Sequence, residues 1–342
     1  MGRVVSGTTD VRVMQSFREP RPTSNPYIHM LDHALGGTPG LKHMRFSWRT
    51  AFLGSYDVLH FHWPEIFLEG STPLHRLARR MRFQALLWRL AVTRTPIVRT
   101  VHNIELPTGV SKWDRRMLSH VRDGASVSIA LNPQTQPAGT TVVIPHGHYV
   151  DWFAGMSTGS ALPGKIAFVG LVRRYKGVEA LFDAYARLHE ADRSTSLVVA
   201  GRPTSDQTRS EVETRAKRLS DVTLHLKYLS ESEYAATVTS AALIVLPYVH
   251  MHNSGSLLAA LSLHRPVLVP DNDVNRALRT EVGPGWVHLF SDPLAHDDIA
   301  SALRSGIPSG TPDLSRRGWK DAGEAHLHAY RSAAGRQPKR LS

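Results

Sequence analysis

The residues best placed to do chemistry lie in 246–270. The apolar run Ala242–Leu246 stops at Pro247, as a buried strand does, and a polar loop carrying His252 and Asn253 follows. Ser254-Gly255-Ser256 then opens a second apolar run, read as a helix through Leu263, before Val267–Val269 starts another strand. A strand, a polar loop and a Gly/Ser-rich helix start present unbonded backbone N–H groups and the positive end of a helix dipole to an anion. A diphosphate is the expected guest. An ordinary βαβ unit capped by Ser254 has the same spacing, because Ser and Asn are good N-caps in any case. Arg173, Arg174 and Lys176 sit on a basic turn, 170–177, after another strand. Cations beside a helix N-terminus make a diphosphate site without a metal ion. Gly201, at the end of the next strand, either lets a nucleotide approach closely or forms a simple turn.

Acid–base candidates come from the first half. The strand Tyr56–His62 runs into Trp63-Pro64-Glu65, Thr95–Val101 runs into His102-Asn103-Ile104-Glu105, and Thr141–Ile144 precedes His146. Ligands of parallel α/β sheets sit beyond the carboxyl ends of the strands, which gathers His62, Glu65, His102, Asn103, Glu105 and His146 at one rim. His60/His62 and His146/His148 alternate along extended segments, so each pair can share a face. Zinc wants three or four ligands with a supporting shell, and nothing specifies such a set among the 19 histidines. No metal and no cofactor are expected. There is no GxGxxG fingerprint, Walker loop or Ser nucleophile elbow, which disfavours dinucleotide redox chemistry, P-loop phosphoryl transfer and serine hydrolysis.

These residues need two α/β scaffolds to hold them. In the first half, strands at Val11–Phe17, Tyr56–His62, Thr95–Val101, Val127–Leu131 and Thr141–Ile144 alternate with helical stretches, among them Tyr27–Leu35. A Gly/Ser/Pro-rich linker is read at Ser157–Gly164. A second series then begins: Lys165–Val169, the helix Val178–Glu190, Ser196–Ala200, Val222–Leu226, Ala242–Leu246, Val267–Val269 and Trp286–Leu289. Alternation of this kind is the pattern of parallel sheets. The expected organisation is 1–150, 151–312 and a closing helix with a basic tail over 313–342. At 342 residues and 42% hydrophobic, the chain has length and apolar content for two cores. Absence of cysteine excludes disulfides and thiolate metal sites, and neither a signal peptide nor a transmembrane run is evident.

Net charge is +12, and residues 1–150 hold 18 Lys and Arg against 9 Asp and Glu. Such a balance implies an anionic partner, and no nucleic-acid motif accompanies it. Residues 75–94 carry six arginines and no acid, interleaved with Leu77, Met81, Phe83, Leu87, Trp88 and Leu90. A basic helix with Leu and aromatic positions suits an anionic membrane interface, reached here through Arg76, Arg79, Arg80 and Arg82. A sheet-covering helix with a solvated basic face is the plainer reading.

Two α/β halves with a basic turn and a helix-start phosphate site resemble a GT-B glycosyltransferase, two Rossmann-like α/β domains facing across a cleft. Particular strings are similar to the GDP-mannose:glycolipid β-1,4-mannosyltransferases of xanthan-type polysaccharide synthesis. They are SerAsnProTyr at 24–27, TyrAspValLeuHisPheHisTrpProGlu at 56–65, ThrProIleValArgThrValHisAsn at 95–103, and ProHisGlyHisTyrValAspTrpPhe at 145–153. Further along are GlyLeuValArgArgTyrLysGlyValGlu at 170–179, MetHisAsnSerGlySerLeuLeuAlaAlaLeuSerLeuHisArgProVal at 251–267 and GluValGlyProGlyTrpVal at 281–287.

The resemblance implies an inverting transfer of mannose from GDP-mannose to a polyprenyl-diphosphate-linked oligosaccharide, in this family one ending in glucuronic acid, at the inner face of the plasma membrane. Retaining GT-B enzymes carry two glutamates eight residues apart around the phosphate loop and helix. Aligned on Arg265-Pro266, those positions here are Met251 and Ala259. Inversion needs one base for the acceptor proton; Glu65 is the first choice, His62 the alternative, and Glu105 and Asp151 follow. Donor contacts are assigned to Arg173, Arg174, Lys176, Gly201, Tyr228, His252, Asn253, Ser254, Gly255 and Ser256. Acceptor contacts are assigned to Asn25, His102, Asn103, His146 and His148. Two other readings stay open: a UDP-sugar donor on the same fold, and a non-catalytic nucleotide-sugar or anionic-lipid binding partner in polysaccharide assembly.

Overall fold

The computed structural model describes residues 10–103, 110–156, 159–248 and 251–335. The chain forms two compact units: one runs to Gly147 and resumes at Arg317, the other spans His148–Arg316. The first contains β1 (Val11–Gln15), α1 (Pro26–Gly36), β2 (Leu41–Met44), α2 (Trp48–Leu53), β3 (Val58–Phe61), α3 (Pro73–Val92), β4 (Ile97–Val101), α4 (Lys112–Asp123), β5 (Ala125–Ala130) and β6 (Thr141–Val143). The second holds β7 (Leu162–Val169), α5 (Val178–Ala191), β8 (Ser196–Ala200), α6 (Asp206–Ala216), β9 (Val222–His225), α7 (Glu231–Ser240), β10 (Ala241–Val245), α8 (Gly255–Ser262), β11 (Val267–Pro270), α9 (Asp273–Val282), β12 (Val287–Phe290) and α10 (His296–Ser305). The closing helix α11 (Trp319–Ala333) packs back on α1, β1, β4 and β5 of the first unit.

Every strand pairing is parallel. Parallel strands buried on both faces tolerate near-continuous apolar sequence, as in Ile166–Val169 and Leu243–Val245, all buried. The sheet orders differ: β2-β1-β3-β4-β5-β6 in the first unit and β12-β11-β10-β7-β8-β9 in the second. Each therefore reverses direction once, between β1 and β3 and between β7 and β10. Such switch points open a crevice at the carboxyl ends of the strands.

The short edge strand β2 is absent from the sequence reading, because LeuLysHisMet alternates too briefly to declare itself. Leu162–Gly164, read as linker, belong to β7, where Leu162 pairs with Ala241. Helix starts follow their caps. Asn25 Oδ1 accepts from the Tyr27 N–H at 3.0 Å ahead of Pro26, Thr72 caps α3 ahead of Pro73, and Ser230 with Glu233 forms a capping box on α7. In the first unit α3 buries Phe83, Leu86, Leu87 and Leu90 against Leu59, Phe61 and Phe67, with Phe67 and Phe83 stacked at 5.3 Å.

Candidate active site

The second unit's switch point brings together close-packed glycines, a basic turn and a helix start. Gly201 ends β8 at φ +142°, and a methyl group on it would stand 1.9 Å from the carbonyl oxygen of Gly170. The two strand ends therefore cross with no room for side chains. Gly177, at φ +66°, turns the chain into α5, where a methyl would stand 2.2 Å from the Pro247 carbonyl oxygen. Between these glycines a single 3-10 turn, Arg174–Lys176, carries the cations. Arg173 and Arg174 are exposed, and the Arg173 guanidinium lies against Tyr175. Lys176 is turned inward. Its ammonium donates to the Tyr248 hydroxyl at 3.1 Å, and burial, with Arg173 nearby, brings its pKa down to about 8.

On the other side of the switch, Ser254 Oγ accepts from the Leu257 N–H at 3.2 Å and caps α8. A methyl on Gly170 would lie 3.0 Å from Ser256 Oγ and 3.4 Å from Lys176 Nζ. The basic turn and the helix start thus converge on one point, as their sequence positions imply. His252 and Asn253 lie half-buried in the loop before the cap, with burial lowering the His252 pKa. That loop is tied to α9 by Asn272, whose Nδ2 donates to the Met251 carbonyl at 3.0 Å. Tyr228 stands apart: it is 52% exposed, beyond the edge strand β9, two strands from β7.

In the first unit the switch point is filled with uncharged polar side chains. His60 is fully buried, its Nδ1 2.8 Å from the Tyr330 hydroxyl and its Nε2 2.9 Å from Thr100 Oγ1. Gln15 donates to Tyr330 at 3.1 Å, and its Oε1 lies 3.1 Å from His62 Nε2. The other His62 nitrogen is 3.5 Å from His102 Nε2. Burial pushes all three imidazoles well below the ordinary histidine pKa. His62 is therefore a neutral, buried ring with both nitrogens engaged, which suits positioning better than proton transfer from a substrate.

Glu65 differs in kind. It lies half-buried on the 3-10 turn Pro64–Phe67, burial raises its pKa, and no ion pair engages it among the described residues. Arg79, the cation close by, gives its guanidinium to the carbonyls of Ile66 and Phe67 instead. A desolvated, unpaired carboxylate at a strand end has the character of a general base.

Beside it the Trp63 indole stacks on His102 at 3.9 Å with an 18° interplanar angle. Tyr27 sits edge-on to both. Sequence reasoning missed Trp63 and Tyr27; their clustering depends on α1 folding back over the ends of β3 and β4. His146 is buried against Tyr27, and His148 falls in the second unit. Asn25 is exposed and occupied in capping, while Asn103 is exposed at the end of β4. Glu105 lies outside the described residues. Asp151 is exposed on the second unit, not on the first unit's rim.

Helix α3 corrects the expectation for its arginines. Arg80 forms a two-pronged pair with Asp114 of α4 and Arg79 is bound to backbone, which leaves Arg76 and Arg82 exposed. Opposite the buried face, Leu74, Leu77, Met81, Trp88 and Val92 are exposed. Their spacing of three, four and seven residues draws one apolar stripe along the helix. At the start of α4, Trp113 is also exposed, beside Lys112, Arg115 and Arg116. Among the described residues no helix is long and apolar enough to cross a membrane, and no cluster of three His, Cys, Asp or Glu could hold a metal ion.

Comparison with known proteins adds a second line. Residues 163–305 match the family described as glycosyl transferases group 1. The chain is 38% identical over 332 residues to the GDP-mannose:glycolipid 4-beta-D-mannosyltransferase of Xanthomonas campestris pv. campestris, covering 95% of this chain and 93% of that protein. It is 23% identical over 305 residues to the phosphatidyl-myo-inositol mannosyltransferase of Mycobacterium leprae, covering 82% and 75%. Among solved structures it is similar to Anabaena Alr3699/HepE in complex with UDP, at a TM-score of 0.59 and 14% identity over 94% of each chain. AviGT4, a glycosyltransferase involved in avilamycin A biosynthesis, gives a TM-score of 0.57 at 16% identity over 95% and 98%.

Proposed function

The chain belongs to the GDP-mannose:glycolipid 4-β-D-mannosyltransferase family and has the GT-B glycosyltransferase fold, and from that premise we propose that it moves mannose from GDP-mannose to a polyprenyl-diphosphate-linked oligosaccharide. The observation that carries the donor half is the convergence of Lys176, Ser256 and the α8 N-terminus on the Gly170 turn. That cradle suits the diphosphate of a nucleotide sugar. In the reaction, an acceptor hydroxyl oxygen attacks C1 of mannose and the C1–O bond to the β-phosphate breaks, leaving its electron pair on GDP. The acceptor proton goes to the Glu65 carboxylate. Arg173, Lys176 and the free N–H groups at the start of α8 stabilise the charge that develops on the departing diphosphate.

Inversion is supported by Met251 and Ala259, both buried and apolar, where a retaining enzyme would carry its glutamates. Neither can act on the donor as a carboxylate. The acceptor reading uses the Trp63–His102 stack, whose apolar ring face suits a pyranose, with Asn103 as a hydrogen-bonding neighbour. A glucuronic acid terminus on the acceptor would complement the basic charge of this half. A β-1,4 linkage is proposed on family membership alone.

A lipid-linked acceptor requires the enzyme to work at a membrane, and we assign attachment to the cytoplasmic face of the plasma membrane through α3. The exposed apolar stripe enters the interface, while Arg76 and Arg82, rather than Arg79 and Arg80, meet anionic headgroups.

The test is to incubate the protein with radiolabelled GDP-mannose and a lipid-linked oligosaccharide, then determine the anomeric configuration of the product by NMR. β-Mannoside formed from GDP-mannose is the expected product. An α-mannoside would overturn inversion, and turnover with UDP-glucose alone would overturn the donor.

A further inference from the structure

Three tyrosines lie near the start of α8, and one of them holds the Lys176 ammonium. Tyr248 is buried at the end of β10 and packs edge-on to Phe168. Tyr234 stacks on Phe153 from α7. Both phenols lie beside the Ser256 side chain, and Tyr248 accepts from the Lys176 ammonium at 3.1 Å. The third phenol, Tyr149, would lie 3.2 Å from a methyl placed on Gly255. No carboxylate pairs with Lys176 among the described residues. A half-buried ammonium, held by a phenol rather than a counter-ion, keeps its charge available to an incoming anion.

A charged lysine only donates, and each hydroxyl has one hydrogen to give and two lone pairs to accept with. Tyr248 receives a hydrogen from Lys176 and keeps a hydrogen and a lone pair for other partners. Ser256 Oγ and Lys176 Nζ border the same space beside Gly170.

We propose that Tyr248 and Tyr234 are positioning residues, which aim the Lys176 ammonium and the Ser256 hydroxyl at the same diphosphate oxygens. This rests on the donor reading above. The phenols touch neither donor nor acceptor; they act through the lysine and the serine. They also hold the amine in place without placing negative charge where the diphosphate must bind, which a carboxylate in the same position would do.

The experiment is titration calorimetry of GDP against the full-length protein and its Tyr248→Phe, Tyr234→Phe, Ser256→Ala, Lys176→Ala and paired variants, from pH 6.5 to 9.5. Tyr248→Phe is expected to weaken GDP about tenfold, the worth of one hydrogen bond to a charged group. It should also move the alkaline loss of affinity to lower pH, because the ammonium has lost its acceptor. In a Lys176→Ala background most of that effect should vanish, and Tyr234→Phe should add nothing to Ser256→Ala. A packing role alone would leave the pH midpoint unmoved and the paired variants additive, and that result overturns the proposal. Should Tyr248→Phe fail to fold, the Tyr234 and Ser256 pair carries the same additivity test. Wild-type protein that binds no GDP would overturn the donor reading itself; wild-type binding with unmoved variants overturns only the positioning role.

Discussion

The two units obey one topological rule and use it oppositely. Each six-stranded parallel sheet has a single switch point. In the first unit, Gln15, His60 and His62 from β1, β3 and the residue after it meet Tyr330 of α11 in a closed hydrogen-bonded array. In the second, glycines end β7 and β8, and the space holds one inward-turned ammonium and an open helix start. Side chains fill the first crevice and backbone shapes the second. A crevice filled by neutral polar groups is a rigid support for what lies at its edge, here Glu65 and the Trp63–His102 stack. A crevice stripped to glycine is a receptacle.

The sharpest way to break this contrast is to remove one functional group from each side. Glu65→Gln keeps shape and hydrogen bonding but cannot accept a proton; kcat should fall roughly 10²- to 10⁴-fold, the usual worth of a general base, with little change in the KM for GDP-mannose. Lys176→Ala should lower kcat/KM on the order of 10²-fold and weaken GDP. If Glu65→Gln instead abolished GDP binding, the division of labour would be wrong.

The pH profile separates the units further. The proposed reaction needs Glu65 ionised and Lys176 charged. Burial raises the carboxyl pKa, so the acid limb of kcat/KM should lie above the ordinary glutamate value, and Glu65→Gln should remove it. The alkaline limb should fall near pH 8, where the free enzyme's Lys176 loses its proton.

Stability should be asymmetric too. Five imidazoles of the first unit, His60, His62, His102, His146 and His326, have pKa values depressed by burial, His146 and His326 to about 4 against an ordinary 6.5. Their unfolded forms take up protons first, so the stability they permit is present above pH 6.5 and is lost as pH falls from there toward 4. Amide exchange at pH 5 should therefore show opening of the first unit before the second. Tyr330→Phe, which strips the array of its shared hydroxyl, should cost about 1–3 kcal/mol and leave GDP affinity intact. The smallest effect is at the surface: Trp88→Ser should leave turnover of a detergent-solubilised acceptor unchanged while weakening flotation with anionic liposomes.

Much of the second unit was legible in the chain. Ser254-Gly255-Ser256 after a strand, and Arg173-Arg174-Tyr175-Lys176-Gly177 after another, are local signals that parallel topology brings together. Which of the three cations turns inward was not legible, because it depends on Tyr248 lying across the switch. The first unit's histidines were legible only in part. Alternation of His60 with His62 indicates a shared face, but not that Gln15 and Tyr330, 315 positions apart, enclose that face. Arg79 and Arg80 read as free surface charge because a helix sequence does not reveal what it packs against. Asp114 and the carbonyls of Ile66 and Phe67 answer that only in the folded chain.

The most direct measurement is backbone amide exchange by mass spectrometry with and without GDP. Saturating GDP should slow exchange in 168–178 and 251–258, where the basic turn and the α8 start meet, and leave 58–67 and 97–103 unchanged. Protection centred on the first unit's strand ends, with none in 168–178, would contradict the assignment of the donor to the glycine-lined switch point.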